Sequence, residues 1–254
     1  MKASLVLCWL GLSLIGAVSG QTSGKEEAET EKKSPRYHSD KLFFQPAIHY
    51  SDDNEPALSG TGFYIVGPKK KLFAITSAHF FYFDSRQVDK VEWIGTKDSF
   101  KAGLYATSFG KPGRAGTDEP PDYREDFILF EHEGPEPDCL ALQLNRKTRI
   151  MKGTNVWFPY RSKKYAKGWV KMDGIVTVAS DKYIEITLSK EIDGMGRSGS
   201  PLLTHRHNQV VGLLVSGSTT SDGKMFLQFS PIGPVIKHLS QPQKKVLLSK
   251  YRSD

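Results

Sequence analysis

Beyond Ser59 the chain breaks into short, β-rich apolar runs separated by turns rich in glycine, proline and charge. Gly60-Thr61-Gly62-Phe63-Tyr64-Ile65-Val66, a turn at Gly67-Pro68-Lys69-Lys70-Lys71, and Leu72-Phe73-Ala74-Ile75-Thr76-Ser77-Ala78-His79 predict a β-hairpin that delivers His79 at its far end. Val91 to Ile94, Ala102 to Thr107 and Phe127 to Phe130 predict three more strands, with a surface loop over Phe109 to Asp122 where Gly110, Pro112, Gly113, Gly116, Pro120 and Pro121 cluster. A second series follows: Asn155 to Phe158, Gly168 to Val178, Tyr183 to Leu188, Pro201 to Leu203, Gln209 to Ser216 and Met225 to Phe229. Pro231 to Leu239 predicts a closing helix, its start marked by Ser230 and Pro231. Many short strands with hardly any helix predict an all-β sandwich or barrel, in two packed halves joined near residues 134–150, without an internal repeat.

The N-terminus departs from this pattern. Met1-Lys2, the apolar run Leu5 to Leu10 and the small residues Ala17-Val18-Ser19-Gly20 read as a secretory signal peptide over residues 1–20. Glycine and serine interrupt the run, so it is not a membrane span, and no membrane is expected for the mature form. Residues 21–40 are charged and nearly free of core-forming side chains, a flexible leader or pro-segment. The folded domain is expected over 41–240 and a basic tail over 241–254.

Composition narrows the picture further. The chain has 254 residues with 38% hydrophobic content, enough for a packed core without staples. Of two cysteines, Cys8 leaves with the signal segment, and Cys139 reads as a buried small apolar residue with no disulfide partner. The net charge of +7 is concentrated in Lys69 to Lys71, Arg161 to Lys171 and Lys244 to Arg252. A hairpin tip, a solvated loop and a tail are ordinary places for lysine, so no nucleic acid is expected; polyanion binding through Tyr160, Tyr165, Trp169 and their neighbouring lysines is the weakest reading.

Between the Tyr183 to Leu188 run and the Pro201 to Leu203 run lies Asp193-Gly194-Met195-Gly196-Arg197-Ser198-Gly199-Ser200-Pro201. A serine between glycines, followed by proline and an apolar run, presents a hydroxyl on a tight loop. Gly196 and Gly199 admit backbone angles that turn several N–H groups toward one point, the geometry of an oxyanion hole. Such a loop by itself is an ordinary turn.

Together, Ile75-Thr76-Ser77-Ala78-His79, Asp126-Phe127-Ile128-Leu129 and Gly196-Arg197-Ser198-Gly199-Ser200-Pro201-Leu202 resemble, in that order, the three signature segments of chymotrypsin-like (trypsin-like) serine proteases. The motif form is closest to the bacterial glutamyl endopeptidase-like branch. The resemblance spans Gly60 to Leu239 and implies two packed six-stranded antiparallel β-barrels with a short C-terminal helix. It also implies a serine endopeptidase working through an acyl-enzyme: Ser198 as nucleophile, His79 as general base and acid, Asp126 as orienting carboxylate, and the N–H groups of Gly196 and Ser198 as oxyanion donors. A serine hydroxyl attacks only when a base takes its proton, and the base must be held in one tautomer, so the three residue types are needed together. Asp122 and Glu125 compete with Asp126, but Asp126 alone directly precedes the apolar run. Ser200 competes with Ser198 but abuts Pro201. His132 reads as a strand-end residue and the pair His205 and His207 as a polar turn, so no metal or cofactor is expected.

By position in the family pattern, Ile192, Asp193, Val215, Ser216 and Gly217 line the first substrate pocket. Asp193 favours a basic side chain there and Ile192 opposes one, which leaves the preference open. The chain lacks an Ile-Val-Gly-Gly start before His79, carries Arg197 where animal enzymes have their activation aspartate, and lacks their disulfides, so activation by a new N-terminus is not expected. The expected protein is secreted or periplasmic, monomeric, and acts on protein or peptide substrates. The alternative is a catalytically inactive protease-like domain that binds protein partners.

Overall fold

The computed structural model describes residues 42–51, 53–82, 88–94, 99–101, 105–106, 121–132, 140–146, 149–160, 169–188, 192, 197–220 and 223–241. All described residues belong to one unit, Tyr37–Asp254. The signal segment, the leader, Cys139, residues 109–120 of the glycine- and proline-rich loop, the lysines of 161–168 and the tail beyond 241 lie outside the described residues.

The N-terminal half runs β1 (Gln45–Tyr50), β2 (Ala57–Leu58), β3 (Phe63–Val66), β4 (Leu72–Thr76), the one-turn helix α1 (His79–Tyr82), β5 (Val88–Ile94), β6 (Ser99–Lys101), β7 (Tyr105–Ala106), β8 (Ile128–Glu131) and β9 (Ala141–Leu142). The C-terminal half runs β10 (Asn155–Tyr160), β11 (Val170–Ala179), β12 (Ile184–Leu188), β13 (Pro201–Thr204), β14 (Val210–Thr219), β15 (Met225–Pro231) and the helix α2 (Gly233–Ser240). The predicted hairpin is present as β3 and β4, turning through a 3-10 segment at Pro68–Lys70. Strands β1, β2 and β9 are not legible in the sequence. Pro46 and His49 interrupt the apolar pattern of β1, which is held by its antiparallel register with β5.

The C-terminal half is a closed barrel of six strands in the order β10-β11-β12-β15-β14-β13, as the resemblance implies. In the N-terminal half the described strands form two sheets, β2-β1-β5-β6 and β7-β8-β4-β3-β9. A bridge between Phe44 and Gly62 joins them, and β9 pairs parallel with β3 rather than antiparallel. A single bridge carries no continuous ladder, so the described strands of this half are two facing sheets.

Both faces of the central strands are buried. Tyr64 of β3, Ala74 of β4, Ile128 and Phe130 of β8 point into a core between the two sheets, with Ile48, Val91 and Trp93 opposite. The alternate residues Phe63, Ile65, Phe73, Ile75, Phe127 and Leu129 point the other way. They pack between the halves against Leu203, Val210, Leu213 and the α2 residues Val235 and Leu239. Within the closed barrel a third core holds Val156, Phe158, Ile186, Leu202, Leu214 and Phe229. A strand buried on both faces reads as a continuous apolar run instead of an alternating one. Burial at about 25 cal/mol per Å² makes these cores the main stabilising term and the rigid frame for the loops between them.

Candidate active site

Strand register brings the first two predicted residues together. Thr76 of β4 lies opposite Ile128 of the antiparallel β8, so the chain leaving β4 toward His79 runs beside the chain entering β8 from Asp126. His79 opens α1, and its main-chain N–H donates to Asp126 Oδ1 at 2.8 Å. The ring Nδ1 lies 2.7 Å from Asp126 Oδ2. An ionised carboxylate only accepts, so this contact places the hydrogen on Nδ1 and the lone pair on Nε2. The Asp126 side chain is 6% exposed and that of His79 15%. The turn before β8 is closed by Asp126 N–H to Tyr123 O at 3.1 Å, which aims the carboxylate at the imidazole. Asp122, the sequence competitor, instead grips Arg124, whose guanidinium holds the Asp122 carboxyl below its usual range.

Ser198 sits in a turn closed by Ser200 N–H to Arg197 O at 3.0 Å. Gly199 takes φ +84 at the third position of that turn, where a type II geometry calls for glycine. A Cβ there would lie 2.1 Å from Thr61 O and 2.6 Å from Thr76 Oγ1. The close approach lets the two halves be stitched at this point. Thr61 N–H donates to Ser198 O at 2.9 Å, and Gly199 N–H to Leu214 O at 2.7 Å. Ser77, two residues before His79, donates its hydroxyl to the same Leu214 carbonyl at 3.0 Å. One carbonyl of β14 therefore anchors both the histidine segment and the serine turn. Gly60, at φ +42, leaves room for the Phe80 ring, which lies 4.7 Å from the His79 ring, centroid to centroid.

Two solved structures share this architecture. The catalytically active tobacco etch virus protease complexed with product superposes with TM-score 0.54 at 14% identity, covering 92% of this chain and 92% of that one. The serine endoprotease from Yersinia pestis superposes with TM-score 0.51 at 13% identity, covering 79% of this chain and 62% of that one. The fold is chymotrypsin-like. No protein family and no curated protein matches the sequence.

Within the chymotrypsin-like fold the remaining predicted residues divide into two groups. Ile192 is buried at 7% exposure, Val215 is at 9%, Ser216 is half-buried and Gly217 is exposed. The Ser198 hydroxyl donates to the Val215 carbonyl at 3.0 Å. No backbone carbonyl among the described residues accepts the Ser198 N–H. Asp193 and Gly196 lie outside the described residues. Arg197 is buried, at 5% exposure. Of the other histidines, His132 lies edge-on to Tyr64, and His205 meets Asp173 at 3.2 Å on the surface.

Sequence reasoning missed the stitching residues. Thr61, Ser77 and Leu214 act through main-chain groups or a short hydroxyl, and only Thr76-Ser77 stood inside a recognised motif. It also missed Tyr123 and Gln228, which meet at Ser216, and Glu185, which accepts from Gln228 one strand further on; nothing in their spacing along the chain announces those contacts.

Proposed function

We propose that this chain is an exported serine endopeptidase that hydrolyses peptide bonds in protein or peptide substrates through an acyl-enzyme. The observation that carries the reading is the doubly bonded His79–Asp126 pair, anchored through the Leu214 carbonyl to the turn that presents Ser198. His79 Nε2 takes the Ser198 proton as the oxygen attacks the substrate carbonyl, and Asp126 stabilises the imidazolium that results. The Ser198 N–H, joined by that of Gly196, receives the developing oxyanion. The imidazolium then gives its proton to the leaving amine, and a water molecule activated by the same histidine releases the acyl group. In the resting arrangement Ser198 Oγ is turned to Val215 O, so attack requires rotation about χ1 toward the imidazole. Export rests on the signal-like segment of residues 1–20, and the leader of 21–40 is proposed to be removable without switching activity on.

A second reading, a catalytically inactive protease-like domain that binds protein partners, draws on the Ser198 hydroxyl being satisfied by Val215. Labelling with a fluorophosphonate probe separates the two. The endopeptidase reading expects covalent labelling of the wild-type chain that disappears in Ser198→Ala and in His79→Ala. A well-folded wild-type chain that stays unlabelled overturns it in favour of the binding module.

A further inference from the structure

A chain of polar side chains runs from the serine turn across the closed barrel. Ser216 follows Val215, whose carbonyl holds Ser198 Oγ. The Ser216 hydroxyl donates to Gln228 Oε1 at 3.1 Å, and Tyr123 OH reaches the same oxygen at 3.2 Å and Ser216 Oγ at 3.3 Å. Gln228 has both lone pairs of its carbonyl oxygen occupied, which fixes its amide so that Nε2 points onward and donates to Glu185 Oε2 at 3.1 Å. Thr177 Oγ1 donates to Glu185 Oε1 at 3.0 Å. The network therefore ends in a half-buried carboxylate held rigidly by two neutral donors. Among the described residues no lysine, arginine or histidine pairs with Glu185. A carboxylate offers about four lone-pair sites, and these two bonds leave about two of them open. Tyr183 stands close enough that burial first, then the Glu185 charge and Tyr123, raise its phenol above the usual range. A negative group flanked by Tyr123 and Tyr183 and lacking a cation is built to receive one.

We infer that Tyr123, Tyr183, Glu185, Ser216 and Gln228 form a subsite for a lysine or arginine side chain of the substrate, within four residues of the scissile bond. The distance follows from the sheet. Ser216 and Gln228 are register partners on β14 and β15, and Gln228 and Glu185 on β15 and β12, so Glu185 lies about two strand spacings, about 10 Å, from Ser216. An extended peptide covers that span in about three residues. The inference deepens the endopeptidase reading and rests on it for the identity of the ligand as a substrate. The overall charge of +7 repels basic peptides at long range, so any lysine preference has to arise from this local carboxylate.

The test uses binding rather than turnover. Immobilised peptide mixtures, each with one position set to lysine, norleucine or glutamate, are exposed to the full chain carrying Ser198→Ala. Lysine is expected to exceed norleucine about tenfold at one position, the scale of a charge-assisted hydrogen bond. The preference should vanish when the isosteric Glu185→Gln is added and turn toward glutamate with Glu185→Lys. Equal retention of lysine and norleucine peptides, or a lysine preference that survives Glu185→Gln, overturns the subsite. Fluorophosphonate labelling of the wild-type chain is run in parallel. An unlabelled wild type defeats the endopeptidase reading alone, because the peptide array still decides whether Glu185 captures a cation.

Discussion

Replacing Asp126 by asparagine asks one carboxylate-sized group to do what two oxygens do now. Oδ1 accepts the main-chain N–H of His79 at 2.8 Å and Oδ2 meets Nδ1 at 2.7 Å. An asparagine has one carbonyl oxygen. If that oxygen keeps the main-chain bond, the NH2 group faces Nδ1, and the ring must carry its hydrogen on Nε2 to avoid two donors meeting. Nε2 then has no lone pair for the Ser198 proton. The expected loss is about 10,000-fold in the rate of acylation, equivalent to about 5 kcal/mol of barrier. The fold should survive. The substitution weakens one charge-assisted contact, worth about 1.5–3 kcal/mol, against a typical domain stability of about 5–15 kcal/mol. The assay is the second-order rate of fluorophosphonate labelling at neutral pH, with a urea unfolding curve for each protein and Glu125→Gln as the neighbouring carboxylate control. Asp126→Asn protein that is folded and labels within tenfold of wild type refutes the argument that both oxygens set the tautomer. So does an equal loss in Glu125→Gln, which would point to general electrostatics in place of hydrogen-bond direction.

Two further outcomes follow from the same geometry. Gly199→Ala forces an L side chain to φ +84 and drives its Cβ against Thr61 O, which must move and release the Thr76 hydroxyl bond to that carbonyl. The left-handed conformation costs about 1–2 kcal/mol and each lost hydrogen bond about 1 kcal/mol, so chemical denaturation should register a drop of about 2–4 kcal/mol; a change under half a kcal/mol would show that the turn relaxes freely. His238, whose Nε2 is buried without a hydrogen-bond partner near the Phe127 ring, has its pKa lowered by burial. The unfolded chain therefore binds the proton more readily than the folded one. Stability is fully present above the ordinary histidine value near 6.5 and falls as pH drops below it toward the depressed folded value. Urea midpoints taken across that window should fall less steeply in His238→Phe than in wild type, and parallel curves would remove this histidine from the acid response.

The strands that could be read from the sequence are those whose burial leaves a mark on the local pattern. Phe63 to Val66, Leu72 to Thr76 and Phe127 to Phe130 are continuous apolar runs because alternate residues serve two different cores. Strand β1 hid behind Pro46 and His49, and the two-residue strands β2 and β9 are too short to show any period. Among the described residues the strands of the N-terminal half form two sheets joined by one bridge, and the parallel pairing of β9 with β3 leaves no periodic mark in the sequence.

For the site, the sequence named His79, Asp126 and Ser198 as candidates and Gly196 and Gly199 as permissive turn residues, since motif order and turn chemistry are properties of neighbouring residues. Tertiary structure alone decided that Leu214 O would bind both Ser77 and Gly199, and that Asp126 would use both oxygens on one histidine. It alone decided that Ser198 would rest on Val215 and that Glu185 would stand at the end of a polar chain beginning beside it. The Ser77–Leu214, His79–Asp126 and Gln228–Glu185 contacts join residues 43 to 137 positions apart along the chain, whereas those of Gly199 with Leu214 and of Ser198 with Val215 join nearer neighbours. The physical reason is register. Which hydrogen bonds form across strands depends on how the sheets pair, and pairing is settled by packing the whole core at once.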